Sequence, residues 1–190
     1  MSKPFQQTKQ PSQGEVQSLL NIFNSGRLQE AEAAAKALLR NYPNTFILHN
    51  VLGVALEGQR KFEEAAAAYR KALEIEPKIA EIHFNLGVVL GNLGGVEEAV
   101  ASYRKAIALK PDLTVAYFNL GVVLKLLERY AEAERAYRSA IRLQPEYVQA
   151  YQDLADLLQR QGETAEAASL REQAAQLQQA KKPKAKGKQR

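Results

Sequence analysis

Residues 85–90 of this chain read NLGVVL, and residues 119–124 repeat the same six letters. A close variant, VLGVAL, occupies residues 51–56, so the three copies are spaced 34 residues apart. Self-similarity at a fixed period of this size is the sequence signature of a repeat protein. These stretches therefore predict a stack of similar repeats along the 190 residues, in place of one compact core.

Other residues keep the same period. The prolines recur at Pro43, Pro77, Pro111 and Pro145, a tyrosine recurs at Tyr69, Tyr103 and Tyr137, and an alanine recurs at Ala31, Ala65, Ala99, Ala133 and Ala167. One register fits them all, with repeats over 12–45, 46–79, 80–113, 114–147 and 148–181. The chain thus divides into a repeat array over 12–180, an N-terminal arm over 1–11 and a basic tail over 181–190. Both ends are predicted to be disordered.

Each repeat has the pattern of two helices. In the fourth repeat, Leu120, Val123 and Leu124 share one face of a first helix. A second helix is predicted from about residue 131 to residue 143, because Pro145 disfavours helix in the residue before it. Glycines at 26, 94–95 and 162 mark the turns between helices. The sequence therefore predicts an all-α solenoid of about five helix-turn-helix repeats.

Small residues mark the predicted contact between the two helices of a repeat. Gly121 on the first helix and Ala133 on the second leave little bulk between the helix axes, so the helices are expected to pack closely. Tyr137 and Leu124 are expected to fill the space around this contact.

These positions, counted from the first residue of each repeat, resemble the tetratricopeptide repeat family. The resemblance rests on Leu-Gly at positions 7 and 8, alanine at 20 and 27, tyrosine at 24 and proline at 32. The three central repeats carry the whole pattern, whereas the outer two depart from it, for instance with Ser18-Leu19 and with Arg171. The resemblance implies a right-handed superhelix whose first helices line a concave groove, and a protein that binds other proteins there.

Positions 2, 5, 9 and 12 of a first helix share one stripe, because they are spaced three or four residues apart. The candidate peptide-binding residues on and beside this stripe are Phe84, Asn85, Val88, Asn92, Val115, Phe118, Asn119, Val122 and Lys125. Apolar side chains in a groove usually mark a binding site. The alternative is that Phe84 and Phe118 pack against the neighbouring repeat as part of the core.

Asn85 and Asn119 both occupy position 6. An asparagine amide can pair with the C=O and the N–H of an extended peptide. The central repeats resemble those of the O-linked N-acetylglucosamine transferase superhelix, where an asparagine ladder holds the peptide backbone. The ladder is incomplete here, with Asn50 as a nearby third candidate. The other repeats have Gln17, Val51 and Asp153 at position 6. Solvated helix asparagines are the alternative interpretation.

The net charge of +5 is carried by the ends of the chain. Residues 1–11 and 181–190 hold eight of the 26 basic residues and none of the 21 acidic ones. The tail cations are Lys181, Lys182, Lys184, Lys186, Lys188 and Arg190. Because the tail has no aromatic residue to stack on bases, it is expected to contact only the phosphates of nucleic acid, or an anionic membrane. A solubilising tail without a ligand is the alternative.

The composition does not favour catalysis. The absence of cysteine excludes disulfides, thiolate metal ligands and a cysteine nucleophile. His49 and His83 lie one repeat apart without added carboxylates, which makes a poor metal site. No catalytic residue, metal or cofactor is therefore predicted. The sequence shows neither a secretory signal nor a membrane span, so a soluble cytoplasmic protein is expected.

The leading hypothesis is a non-catalytic scaffold that binds a partner peptide or helix in the groove. A second hypothesis is a substrate-recognition subunit that acts with a separate transferase. A third is polyanion binding, to nucleic acid or an anionic membrane, through the basic tail. Self-association is a further prediction, because the first and last repeats expose surfaces on which another copy can stack.

Overall fold

The computed structural model describes residues 10–180, which form ten α-helices and no strand. The helices are α1 (Gln13–Asn24), α2 (Leu28–Asn41), α3 (Phe46–Gly58), α4 (Phe62–Ile75), α5 (Ala80–Asn92), α6 (Val96–Leu109), α7 (Thr114–Leu126), α8 (Tyr130–Leu143), α9 (Val148–Gln161) and α10 (Thr164–Ala180). Each repeat contributes one pair of helices. The predicted all-α, helix-turn-helix fold is confirmed. The predicted disorder of residues 1–9 and the whole basic tail lie outside the described residues.

Local sequence signals set the helix ends. At the start of α1, the Glu15 backbone N–H donates to Ser12 Oγ over 3.2 Å, and the Ser12 N–H donates to the Glu15 carboxylate over 2.8 Å. This reciprocal capping box satisfies two backbone donors that a helix N-terminus leaves free. A proline marks the C-terminal end of α8, which stops at Leu143, two residues before Pro145, as the sequence predicts. Its start at Tyr130 lies one residue before the predicted start.

The turn inside each repeat requires a left-handed backbone conformation. Gly26, Gly94 and Gly162 adopt it, with φ of 77°, 79° and 87°. Arg60 and Glu128 adopt it in the other two repeats, with φ of 62° and 57°. Because side chains disfavour this region, glycine is its usual occupant. The glycines reveal the turn in the sequence, whereas the arginine and the glutamate do not.

The chain divides into an N-terminal block that ends at Pro111 and a C-terminal block that begins at Asp112. In the N-terminal block, α1 contacts α3 and α3 contacts α5; in the C-terminal block, α7 contacts α9. Within the described residues of either block, no two second helices of successive repeats approach each other in this way. The first helices therefore lie on the inner side of each block, and the second helices lie on the outer side.

A tyrosine ring packs on a glycine in each central repeat. A Cβ atom on Gly53, Gly87 or Gly121 would lie 2.6 or 2.7 Å from the ring of Tyr69, Tyr103 or Tyr137. These three pairs occupy positions 8 and 24, and Ala133 and its equivalents at position 20 are fully buried. The close contact predicted for Gly121 is therefore present, and the tyrosine ring occupies the space that a glycine side chain would need.

In three repeats, the side chain at position 4 contacts the proline turn before it. The His49 Nε2 lies 2.8 Å from the Pro43 carbonyl oxygen, and the His83 Nε2 lies 2.9 Å from that of Pro77. Tyr151 makes the same contact, because its hydroxyl donates to the Pro145 carbonyl over 3.0 Å. Both histidines thus have a structural partner in the preceding turn.

Long charged side chains bridge the gap between successive second helices. A cation at position 25 pairs with a glutamate at position 19 of the next repeat. These pairs are Lys36–Glu64 at 3.6 Å, Arg70–Glu98 at 2.8 Å and Arg138–Glu166 at 2.9 Å. Because all six side chains are more than 40% exposed, each pair contributes little stability on its own. The pairs form a regular ion-pair ladder on the outer side of the blocks.

A more buried charge cluster lies where the first repeat meets the second. The Glu32 carboxylate accepts hydrogen bonds from Lys36 at 2.6 Å, from Lys61 at 2.8 Å and from the Gln59 amide at 2.9 Å. The Glu32 side chain is only 13% exposed. Lys36 contacts one oxygen of this shielded carboxylate and Lys61 contacts the other. Through Lys61, the cluster connects α2 to the turn between α3 and α4.

Candidate functional site

We call the inner surface of each block, formed by positions 2, 5, 6, 9, 12 and 13 of its first helices, the groove face. In the N-terminal block this surface includes Phe84, Asn85 and Val88 of α5, and all three are half-buried. The Phe84 ring lies 5.9 Å from the Tyr103 ring, centroid to centroid. Phe84 therefore packs partly on its own repeat and keeps part of its surface accessible.

The Asn85 amide lies beside a polar cluster. The hydroxyl of Tyr69 donates a hydrogen bond to the Glu57 carboxylate over 2.6 Å. Burial, followed by the bond to this carboxylate, raises the pKa of Tyr69 far above its usual range, and a hydrogen bond from Asn85 opposes the shift. Asn85 therefore has one partner within the protein and retains part of its hydrogen-bonding capacity.

The other two asparagines of this block differ from Asn85. Asn92 is exposed, and its amide donates to the Val88 carbonyl of its own helix over 2.9 Å. Asn50 is half-buried, and its side-chain oxygen is buried with no hydrogen-bond partner among the described residues. Of the three, Asn85 is the one that the structure places beside both the tyrosine cluster and the half-buried phenylalanine.

In the C-terminal block the groove face carries the other candidates, on α7. Val115 is 40% exposed, and Phe118, Asn119 and Val122 are half-buried. The Phe118 ring lies 5.8 Å from the Tyr137 ring and 5.0 Å from the Tyr147 ring. The order of phenylalanine, asparagine and valine on α5 therefore recurs on α7, with the same degree of burial.

Lys125, the predicted cation of the groove, has a partner that the sequence did not indicate. Its Nζ lies 2.9 Å from Asp153 Oδ1 and 5.9 Å from the centroid of the Tyr137 ring. The second carboxylate oxygen of Asp153 accepts from the Gln149 amide over 3.1 Å. Because the Lys125 and Asp153 side chains are only 24% and 18% exposed, this ion pair is partly shielded from water.

The Tyr137 side chain lies beside this ion pair. Tyr137 is fully buried, and its hydroxyl oxygen has no hydrogen-bond partner among the described residues. Burial, followed by the charge of Asp153, raises the pKa of Tyr137 well above its usual range. The same two causes raise the pKa of Tyr147. Asp153 thus lies close to two phenol groups as well as to Lys125.

One cavity of the N-terminal block lies on the outer side, away from the groove face. It has a volume of about 630 Å³ and is lined mainly by α4 and α6. Arg70, Glu74 and Lys105 contribute polar groups, and Leu73 and Leu109 are among the apolar residues that line it. Sequence reasoning missed this cavity. Leu109, which lines this cavity, is an apolar residue that is 41% exposed.

Two other kinds of feature are absent from the described residues. No three histidine, cysteine, aspartate or glutamate residues there come together as a metal ion would require. No helix between residues 10 and 180 is long and apolar enough to span a bilayer.

Family profiles match the central repeats. A profile described as "TPR repeat" matches residues 58–94 and 93–128, and two profiles described as "Tetratricopeptide repeat" match residues 114–147 and 136–168. No curated protein matches the sequence closely enough to count as a relative.

Solved structures of other proteins have a similar fold. A structure of MamA is 24% identical, with a TM-score of 0.83 over 85% of this chain and 94% of that chain. PilF from Pseudomonas aeruginosa is 25% identical, with a TM-score of 0.75 over 86% and 74%. YrrB, described as a TPR protein with an unusual peptide-binding site, is 18% identical, with a TM-score of 0.80 over 90% and 88%.

Proposed function

We propose that this chain, which belongs to the tetratricopeptide repeat family, is a non-catalytic scaffold that binds a peptide or helix of a partner protein on its groove face. One observation carries the proposal. On α5 and again on α7, a phenylalanine, an asparagine and a valine at positions 5, 6 and 9 are half-buried on the inner side of their block. Apolar groups that a fold leaves partly accessible beside amides favour recognition of another chain.

The side-chain chemistry suits a polypeptide ligand. Phe84 and Phe118 each rest on a buried tyrosine, at 5.9 and 5.8 Å between ring centroids, so their orientation is fixed before a ligand binds. A preorganised aromatic side chain loses less conformational freedom on binding than a mobile one. The neighbouring Asn85 and Asn119 amides offer both a donor and an acceptor to a peptide bond. YrrB, a tetratricopeptide protein described as having a peptide-binding site, supports the same type of ligand.

Replacing both Asn85 and Asn119 by alanine is expected to weaken partner binding about tenfold, because each lost amide removes roughly 0.5–1.5 kcal/mol of hydrogen bonding. Affinity capture from cell extract, quantified against wild type, measures the effect, and circular dichroism should show unchanged helicity. Asn41→Ala is the matched control, because Asn41 is exposed at the end of α2, a second helix on the outer side of its block. Equal recovery of partners by the double variant and by wild type would refute the assignment of this face.

A further inference from the structure

We infer that Lys125, Asp153 and Tyr137 form a carboxylate-responsive site on the groove face of the C-terminal block, and that it selects an acidic side chain in the bound segment. The inference rests on the proposed function, because it specifies the chemistry of the ligand on the same face. Lys125 and Asp153 form the ion pair at 2.9 Å, and the buried Tyr137 hydroxyl next to them has no partner.

The second repeat shows what the same two positions do when a tyrosine hydroxyl faces an acceptor. There, the tyrosine at position 24 is Tyr69 and the residue at position 12 is Glu57, which accepts a hydrogen bond from the hydroxyl over 2.6 Å. In the fourth repeat the tyrosine is Tyr137 and position 12 is Lys125. A lysine ammonium has three donors and no acceptor, so it cannot accept a hydrogen bond from the hydroxyl. The tyrosine is retained and its acceptor is lost.

Asp153 is a carboxylate acceptor whose charge acts on Tyr137, and Lys125 pairs with it. Its two oxygens bind Lys125 at 2.9 Å and Gln149 at 3.1 Å. Its charge also acts on Tyr137 and on Tyr147. If Lys125 turns to a new anion, Asp153 can accept from the Tyr137 hydroxyl and keep its bond from Gln149. The carboxylate then remains hydrogen-bonded, and the buried hydroxyl gains the partner that it lacks.

A carboxylate on the ligand is the group that drives this exchange. It gives Lys125 a new counter-ion and leaves Asp153 able to accept a hydrogen bond from the Tyr137 hydroxyl. The ligand carboxylate, Lys125, Asp153 and the hydroxyl then all have a partner. A cationic ligand would pair with Asp153, but it would leave Lys125 without a counter-ion and Tyr137 still without an acceptor. The Lys125 and Asp153 side chains are only 24% and 18% exposed. Leaving either charge without a partner therefore costs more free energy here than at an open surface.

The state without ligand can be tested by two equivalent substitutions. Tyr69→Phe removes a hydroxyl that is bonded to Glu57, so it should lower the melting temperature by roughly 2–4 °C. Tyr137→Phe removes a hydroxyl that has no partner, so the melting temperature should stay the same or rise. A loss for Tyr137→Phe as large as that for Tyr69→Phe would mean that the Tyr137 hydroxyl is already bonded, and it would overturn the inference.

Ligand preference can be tested with three pools of labelled octapeptides, random except for glutamate, glutamine or lysine at the fourth place. The full chain should bind the glutamate pool about three to ten times more tightly than the glutamine pool. Lys125→Met should lose this preference, Lys125→Arg should keep it, and Tyr137→Phe should reduce it. Tyr69→Phe is the matched control and should keep it in full, since Tyr69 lies in the N-terminal block.

The outcomes separate the two proposals. Equal binding of the glutamate and glutamine pools, or a preference for the lysine pool, would overturn the carboxylate site and leave peptide binding intact. A glutamate preference that persists in Lys125→Met would assign the acid preference to other cations, such as those of the basic tail, and would also overturn it. Failure of all three pools to bind wild type would overturn the proposed function together with this inference.

Discussion

Replacing Gly121 by leucine is expected to lower the free energy of unfolding by about 3 kcal/mol, at the upper end of the range for overpacked cores. Even a bare Cβ at this position would lie 2.6 Å from the Tyr137 ring. That ring is fully buried, so it has no free space to move into. The remaining leucine atoms add to the overlap, and α7 and α8 must separate to admit them.

The measurement is thermal or urea unfolding followed by circular dichroism. For a chain of 190 residues, a loss of about 3 kcal/mol corresponds to a fall in the melting temperature of roughly 6–12 °C. Gly14→Ala is the matched control, because a Cβ there would meet no atom within 4 Å. That helix substitution should stabilise the protein by about 0.5–1 kcal/mol. A melting temperature for Gly121→Leu equal to that of wild type would disprove the packing of the tyrosine on the glycine.

Replacing Glu32 by glutamine is expected to lower the free energy of unfolding by about 2 kcal/mol near neutral pH, and by much less in acid. Hydrogen bonds from Lys36 and then Lys61 lower the pKa of Glu32 from 4.5 to about 2. A carboxyl group with a lowered pKa in the folded state stabilises the fold above its unfolded pKa of 4.5. This contribution is lost as the pH falls through about 2. The expected value is below the full equivalent of the shift, because both lysines are over 40% exposed.

Urea unfolding of wild type and Glu32→Gln at about pH 6 and about pH 3 measures this effect. The difference in unfolding free energy between the two proteins should shrink by more than half at the lower pH. Glu30→Gln is the control, because Glu30 pairs with Arg27 in the open, at 60% and 53% side-chain exposure. Glu30→Gln should change the free energy of unfolding by less than about 0.5 kcal/mol at both pH values. A difference between wild type and Glu32→Gln that is the same at both pH values would show that ionisation of Glu32 does not stabilise the fold.

The sequence predicts the fold well because the same pattern of residues recurs in successive repeats. The period of 34 residues, the prolines and three glycine turns locate every helix pair, and the end of α8 at Leu143 agrees with the prediction. The contact at Gly121 was also predictable, since a glycine and an alanine recur at fixed positions. Arg60 and Glu128, by contrast, adopt the glycine-like turn conformation without any sign of it in their residue type.

The candidate site was only partly predictable. The stripe that contains Phe84 and Phe118 follows from helical spacing, and the structure places both residues on the inner side of their blocks. The ion pair between Lys125 and Asp153 joins residues of different repeats. Asp153 reads in the sequence merely as a departure from asparagine. Its pairing depends on where two side chains meet in space, and periodicity alone does not contain that information.

The ion-pair ladder on the outer side bears on how such a chain can evolve. Lys36 meets Glu64 and Arg70 meets Glu98 through the same two positions of successive repeats. Removal of residues 46–79 would therefore bring Lys36 opposite Glu98, and duplication of that segment would create one more pair of the same kind. Insertions of other lengths would take the cation away from its glutamate. Because every ion pair of the ladder uses the same two positions, the array can gain or lose whole repeats and keep these contacts.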